Sequence, residues 1–157
     1  MSDETASRAL AEEMTGCVCT ALRRTSREVT RFFDESLKRH RLRVTQLPIL
    51  VAAGLAQPPD AVPLAAVAAR LGMERTTLLR NVRPLVRRKL VTIVAEGRSG
   101  RSAIRATAAG RALLVRLYPE WKRAQEETLE RVAGLEWSHA LDAVEALGEA
   151  ARRRTSG

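Results

Sequence analysis

LAAVAARLGMERTTLLRNVRPLVRRKLV, residues 64–91, decides the fold. In its first part Leu64, Val67, Ala68 and Leu71 fall on one side of a short helix. Gly72 follows, and a glycine permits the sharp turn that ends such a helix. A second helix then opens with Arg75, Thr76, Thr77 and Arg80 in its first turns. Its apolar residues Leu78, Val82 and Leu85 recur at helical spacing and face inward, which leaves Arg75, Thr76, Arg80, Arg83 and Arg87 outside. Hydroxyls and guanidinium groups crowded at a helix start fit either an ordinary solvated face or a surface built to enter a DNA groove. The rest of the chain discriminates between the two.

Leu90-Val91-Thr92-Ile93-Val94 is β-branched and strand-like. EGRSGRS, 96–102, reads as a glycine-bearing hairpin turn, and Ala103 to Ala106 as the returning strand. Short helix, glycine turn, polar-faced helix and basic hairpin, in that order, make a winged helix-turn-helix. The second helix of such a pair lies in the major groove and presents its N-terminal side chains to base edges. Arginine makes bidentate contacts to guanine, and threonine donates, accepts or touches a thymine methyl. The first-turn amides favour a phosphate, and an arginine-bearing wing suits the negative potential of the minor groove. Arg75, Thr76, Thr77 and Arg80 are therefore the candidates for base contacts. Arg83, Arg87, Lys89, Arg98 and Arg101 are the candidates for phosphate or minor-groove contacts.

Charge supports this reading. From Arg70 to Arg116 there are twelve basic residues and two acids, a net of +10, while the rest of the 157-residue chain nets −1. A solvated face mixes its signs, so a one-signed block points to a polyanion. Arginine dominates the block, which suits phosphate and guanine. Aromatics are only 3% of the chain, so the core must be Leu, Val and Ala, a composition that favours packed helices.

Outside the motif, Leu10, Met14, Cys17, Ala21, Thr25, Val29 and Phe32 recur every three or four positions, which predicts one long helix over about 6–39. Val18, Leu22, Phe33 and Leu37 widen its stripe beyond what a small monomer needs, so a partner helix is expected. A further helix is expected from Thr45 as N-cap, with Pro48 in its first turn, to about Gly54, and a loop at 57–60. Thr107 is placed to cap a long helix containing Leu113, Leu117 and Trp121, kinked or restarted by Pro119. A final helix is expected over about 136–152. The fold class is mostly α with a small β-hairpin wing, the winged helix-turn-helix being flanked by N- and C-terminal helices.

These parts resemble the MarR family of winged helix-turn-helix regulators. The resemblance rests on residues 64–91, on IRATAAGRALL (104–114), on CVCTALRRTSREVTRFFDESL (17–37) and on VTQLPIL (44–50). It implies one domain over 1–157, with dimerisation helices at about 6–40 and 108–152 around a DNA-binding lobe at about 45–106. It implies a homodimer on a pseudo-palindromic double-stranded operator, its half-sites about one turn apart. It also implies repression, released by a small aromatic or phenolic effector between dimer helices and DNA-binding lobe, where Trp121 is a candidate lining residue. The chain departs from the family pattern at Glu96, the only acid in the wing, and at Leu79, where a polar groove-facing residue is common and a thymine methyl is the alternative contact. Arg41 and Lys89 stand where glycine is common; left-handed backbone there would cost each side chain about 1 kcal/mol.

Cys19, in CTALRRTSR, resembles the reactive position of the organic-hydroperoxide-sensing branch of the family, which offers thiol oxidation as an alternative release signal. The bland reading makes Cys17 and Cys19 small packing residues on a helix. It carries more weight, because the tyrosines that flank the thiol in that branch are missing and Tyr118 is the sole tyrosine. A winged helix used for protein contact without DNA is a third reading, disfavoured by the basic block. His40 and His139 are the only histidines, and His40 is expected at a helix end, where a cation suits the dipole. With no nucleophile–base pair, phosphate loop or metal motif, neither an enzyme nor a bound metal or cofactor is expected. The polar opening residues and the short, Pro- and Gly-interrupted apolar run at 47–56 predict no signal peptide, no membrane span and a cytoplasmic protein.

Overall fold

The structure, a computed structural model, describes residues 3–56, 60–96, 101–132 and 134–155. Two compact units are present, Met1–Trp121 and Lys122–Gly157. The first holds helices α1 (Asp3–Glu13), α2 (Val18–Ser36), α3 (Leu47–Leu55), α4 (Leu64–Leu71) and α5 (Arg75–Arg87) and strands β1 (Val62–Pro63), β2 (Val91–Glu96) and β3 (Arg101–Ala106). Helix α6 (Ala108–Glu130) begins in the first unit, and α7 (Trp137–Thr155) lies in the second.

The core of the first unit is aliphatic. Leu37, Ile49, Leu50, Val67, Leu78, Val82, Leu85, Val91 and Ile104 are fully buried, joined by Leu113 and Leu117 of α6. The sheet is antiparallel in the order β1-β3-β2, with Val91 opposite Ala106 and Glu96 opposite Arg101 in the wing. The helix-turn-helix forms as its sequence requires. Gly72 ends α4 at φ 59°, and Met73 N–H reaches back to Ala68 O at 2.9 Å, closing the last turn. Thr107 caps α6 as expected: its Oγ1 accepts Gly110 N–H at 3.0 Å and donates to Lys89 O at 2.7 Å.

Three expectations are corrected. The helix over 6–39 is two helices, separated by a 3₁₀ turn at Met14–Gly16 and an extended Cys17. Thr15 Oγ1 donates to Glu12 O at 2.7 Å, and Thr-Gly is a poor helical pair, so the apolar periodicity runs across a real break. Thr45 is not an N-cap. It donates to Asn81 Oδ1 at 3.1 Å, and α3 begins two residues later, after a turn in which Gln46 Oε1 accepts Arg43 N–H. Pro119 does not restart α6, which runs unbroken; the proline is exposed, so its missing donor leaves no buried gap. One element has no counterpart among the expectations: β1 pairs Val62 with Ile104 and Pro63 with Ala103, a two-residue strand too short to show periodicity. The loop expected at 57–60 and the turn at 96–102 lie largely outside the described residues.

Arg41 and Lys89 do adopt left-handed backbone, at φ 52° and 55°. Lys89 terminates α5, with Leu90 N–H bonded to Leu85 O at 2.9 Å. Lys89→Gly is expected to raise the free energy of unfolding by about 1 kcal/mol, read from urea denaturation, because the Cβ strain disappears. An unchanged midpoint would mean that the lysine stem recovers the strain through packing.

Candidate nucleic-acid interface

Helix α5 is one-sided in both burial and charge. Leu78, Val82 and Leu85 are buried, while Arg75, Thr76, Thr77, Arg80, Arg83 and Arg87 are all exposed. Its N-cap, Glu74, has extended backbone and makes no side-chain capping bond, so the first-turn amides have no side-chain acceptor. The positive end of this thirteen-residue helix thus carries no side-chain cap from Glu74. Among the described residues none of Arg75, Arg80, Arg83 and Arg87 meets an acid. Cations elsewhere do: Arg31 pairs with Glu28, Lys38 with Glu35 and Arg43 with Asp34. The arginines of α5 thus form an uncompensated positive face, poised for charge-assisted bonds to an external anion.

Lys89 is exposed in the left-handed turn just beyond α5. Arg101 opens β3 opposite Glu96, the only wing acid. Arg98 lies outside the described residues. Leu79 is half-buried, packed against the core with part of its surface still accessible.

Long-range contacts hold this face in place, and the sequence carries no local signal for them. Arg88 donates through Nη2 to His40 O at 2.9 Å and through Nη1 to Arg41 O, which fastens the end of α5 to the segment before α3. Asn81 bridges Thr45 and Thr77 O. Arg39 pairs with Glu120 of α6, and its hydrogen bonds, followed by His40, hold the Glu120 carboxyl below the usual carboxylate range. His40 ends the 3₁₀ turn Lys38–His40, at a helix end as expected, and its Nε2 lies 2.9 Å from Glu120.

A cavity of about 580 Å³ opens beside α3 and α6. Leu47, Pro48 and Val51 form one wall and Leu114, Leu117, Tyr118 and Trp121 another. Trp121 and Tyr118 stack with ring centroids 6.3 Å apart and planes 27° from parallel. Arg70, from the last turn of α4, also reaches the lining. Trp121 was legible as a candidate here; Tyr118 and Arg70 were not singled out.

The break before α2 places Cys17, expected within a helix, at the helix N-cap instead. The Thr20 N–H, the Thr20 hydroxyl and the Cys19 N–H all stabilise its thiolate and lower its pKa from the ordinary thiol value. Cys19 is exposed in the first turn of α2. Among the described residues no group of three or more His, Cys, Asp or Glu is placed to hold a metal, and no helix is long and apolar enough to cross a membrane.

No family model and no curated protein matches the chain. Among solved structures it is similar to the M. tuberculosis transcriptional regulator MosR in complex with DNA, at 32% identity over 87% of this chain and 97% of that one, with a TM-score of 0.78. It is also similar to a MarR-family transcriptional regulator from Rhodococcus sp. (24% identity, 81% and 89% covered, TM-score 0.68). CouR from Rhodococcus jostii, bound to p-coumaroyl-CoA, shares the fold at 22% identity, with 85% and 92% covered and a TM-score of 0.70. With α4, the Gly72 turn, α5 and the β2–β3 wing in place, and a third of the residues shared across nearly the whole MosR chain, this protein belongs to the MarR family of winged helix-turn-helix transcriptional regulators.

Proposed function

We propose that the protein is a homodimeric, sequence-specific repressor of transcription that binds a pseudo-palindromic double-stranded operator and is released by a small aromatic effector. The observation that carries the DNA reading is the uncompensated arginine face of α5 with its open N-terminus. Arg75, Thr76, Thr77 and Arg80 read base edges, Arg83, Arg87 and Lys89 hold phosphates, and the wing arginines Arg98 and Arg101 enter the minor groove. MosR, solved in complex with DNA, supports the same use of the fold. The whole chain acts as one MarR-type domain, a cytoplasmic regulator and not an enzyme.

Dimerisation draws on the exposed apolar residues Leu10 of α1, Met14 of the 3₁₀ turn and Val18, Leu22 and Val29 of α2, and on Trp137, Leu141, Val144 and Leu147 of α7. Large apolar side chains left exposed in such numbers are what an interface would cover. The cavity beside Trp121 is the effector site, of a size that suits a small ligand. A ligand seated there releases DNA only by binding the released conformation better than the DNA-bound one. A second reading, release by oxidation of Cys17 or Cys19, is favoured by the lowered pKa of the Cys17 thiol at the start of α2.

Fluorescence anisotropy on the DNA upstream of its own gene tests all of this. Affinity is expected to fall steeply as salt rises, because phosphate contacts release counterions. A salt-independent affinity would favour the protein-contact reading instead. Binding lost to an aromatic ligand and indifferent to an organic hydroperoxide supports the effector reading. Binding lost on oxidation, restored by thiol reductant and insensitive in Cys17→Ser or Cys19→Ser assigns the signal to that thiol.

A further inference from the structure

We propose that Arg41 is a phosphate contact on the flank of the recognition helix, and that Arg88 is the residue that positions it. The inference rests on the DNA reading above and adds to it a contact outside the helix-turn-helix and the wing.

Arg41 and Lys89 are the two non-glycine residues with left-handed backbone among the described residues, and both are basic. A side chain kept in that conformation points to a use for it when the surroundings hold it there. Here they do. Arg41 N–H bonds Lys38 O at 2.9 Å, Arg41 O accepts Arg88 Nη1, and Leu37 and Leu42 are buried on either side. Arg88 Nη2 donates to His40 O as well, and Lys89 is the next residue, so one guanidinium links the two left-handed turns. Arg41 is exposed and meets no acid among the described residues. The other cations around the shallow groove it lines do: Arg43 pairs with Asp34, Lys38 with Glu35 and Arg31 with Glu28. Arg41 is the surplus charge of that groove.

Its place beside α5 decides what the charge meets. Thr45 bonds Asn81, and the His40 and Arg41 carbonyls bond Arg88, so residues 40–45 run along the side of α5 that carries Asn81 and Arg88. Helical spacing makes that side the flank of the exposed row of Thr76, Arg80, Arg83 and Arg87. A helix with its side chains is about 10–12 Å across, and the major groove is about 12 Å wide. A segment packed on the flank of a helix seated there lies over the phosphate wall, not over the base edges. A guanidinium at that place bonds phosphate oxygens and reads no sequence.

Fluorescence anisotropy across a salt series tests this, with the DNA upstream of its own gene and a scrambled duplex of equal length. Arg41→Gly is expected to weaken both duplexes roughly fivefold per half-site near physiological salt, and to lower the slope of log affinity against log salt by about 0.9 per half-site. Its urea midpoint is expected to rise, since glycine relieves the left-handed strain, so the lost binding is not lost fold. Arg41→Lys keeps the charge and is expected to keep the slope. Lys38→Gln removes an equal charge from the same groove, one already matched by Glu35, and is expected to change neither slope nor affinity. Arg88→Gln loses both carbonyl bonds and is expected to lower the slope as Arg41→Gly does, with the double variant falling no further. An unchanged slope in Arg41→Gly, or an equal fall in Lys38→Gln, would overturn the contact. Additive losses in the double variant would overturn the positioning role of Arg88. Arg80→Ala on the same duplexes keeps the two readings apart. Its loss of preference for the upstream duplex upholds the DNA reading whichever way Arg41 falls, and a wild type whose affinity ignores salt sinks both.

Discussion

Arg80→Ala is expected to weaken binding to the cognate operator by about 1–3 kcal/mol per half-site and to erase the preference at one base position. The argument is positional. Arg75, Thr76 and Thr77 occupy the first turn of α5, and Arg80 lies three and four residues beyond the two threonines, so it stands on the same face one turn on. The inward stripe of Leu78, Val82 and Leu85 fixes that face toward solvent. Only the N-terminal half of a recognition helix reaches the floor of the groove, and there a guanidinium meets guanine edges. Arg87 is equally exposed but lies in the last turn, where the helix passes the sugar-phosphate wall. Arg87→Ala is therefore expected to weaken all sequences alike and to lower the slope of log affinity against log salt by about one unit per half-site. Anisotropy against operators carrying single base changes, across a salt series, separates the two. Equal loss on every sequence for both variants would contradict the division of labour. Lys89→Gly belongs with Arg87→Ala in this experiment: more stable as free protein, it is expected to bind DNA less tightly and with a shallower salt slope. Unchanged slope and affinity would remove Lys89 from the interface.

What could be read from the chain alone follows the range over which each feature is determined. The helix-turn-helix was legible because everything that makes it lies within residues 64–91: two short apolar stripes, one left-handed glycine and a run of exposed arginines. The Thr107 cap was legible for the same reason. The break at Cys17 was not, because Met14 and Cys17 keep helical spacing on either side of the turn. It mattered chemically, since it moves Cys17 from a helix interior to an N-cap. Thr45 carried the signature of a cap, but Asn81, thirty-six residues away, takes its hydroxyl. Arg88 looked like one more cation of the basic block, and only folding brings it to the carbonyls of His40 and Arg41. Arg70 likewise counted toward the block, and its place in the cavity wall depends on how α3 and α6 pack beside α4. Local patterns predicted which face of α5 is exposed and basic. Tertiary contacts decide which arginines are free.

Gly110→Ala is expected to destabilise the protein by about 3 kcal/mol, against the usual helix preference for alanine of about 1 kcal/mol. Gly110 is the third residue of α6 and is buried. A Cβ there would fall closer than 3.0 Å to Leu90 O, with Leu90 C at 3.1 Å and Leu50 Cδ1 at 3.2 Å. The carbonyl has little room to retreat. It accepts Thr107 N–H at 3.0 Å and Thr107 Oγ1 at 3.2 Å, and the residue before it is Lys89, already held in left-handed backbone. Relieving the clash must either pull α6 away from the base of the wing or break the Thr107 cap, which itself bonds Gly110 N–H. Urea denaturation at matched protein concentration measures the loss, the concentration being fixed because dimerisation contributes to apparent stability. DNA affinity at a temperature where the variant is still folded is expected to fall as well, since Leu90 joins α5 to β2 and any shift at Leu90 re-aims both the recognition helix and the wing. A variant as stable as the parent would show that α6 can slide off Leu90 freely. The close packing of helix start on strand start would then contribute nothing to fixing the DNA-reading face.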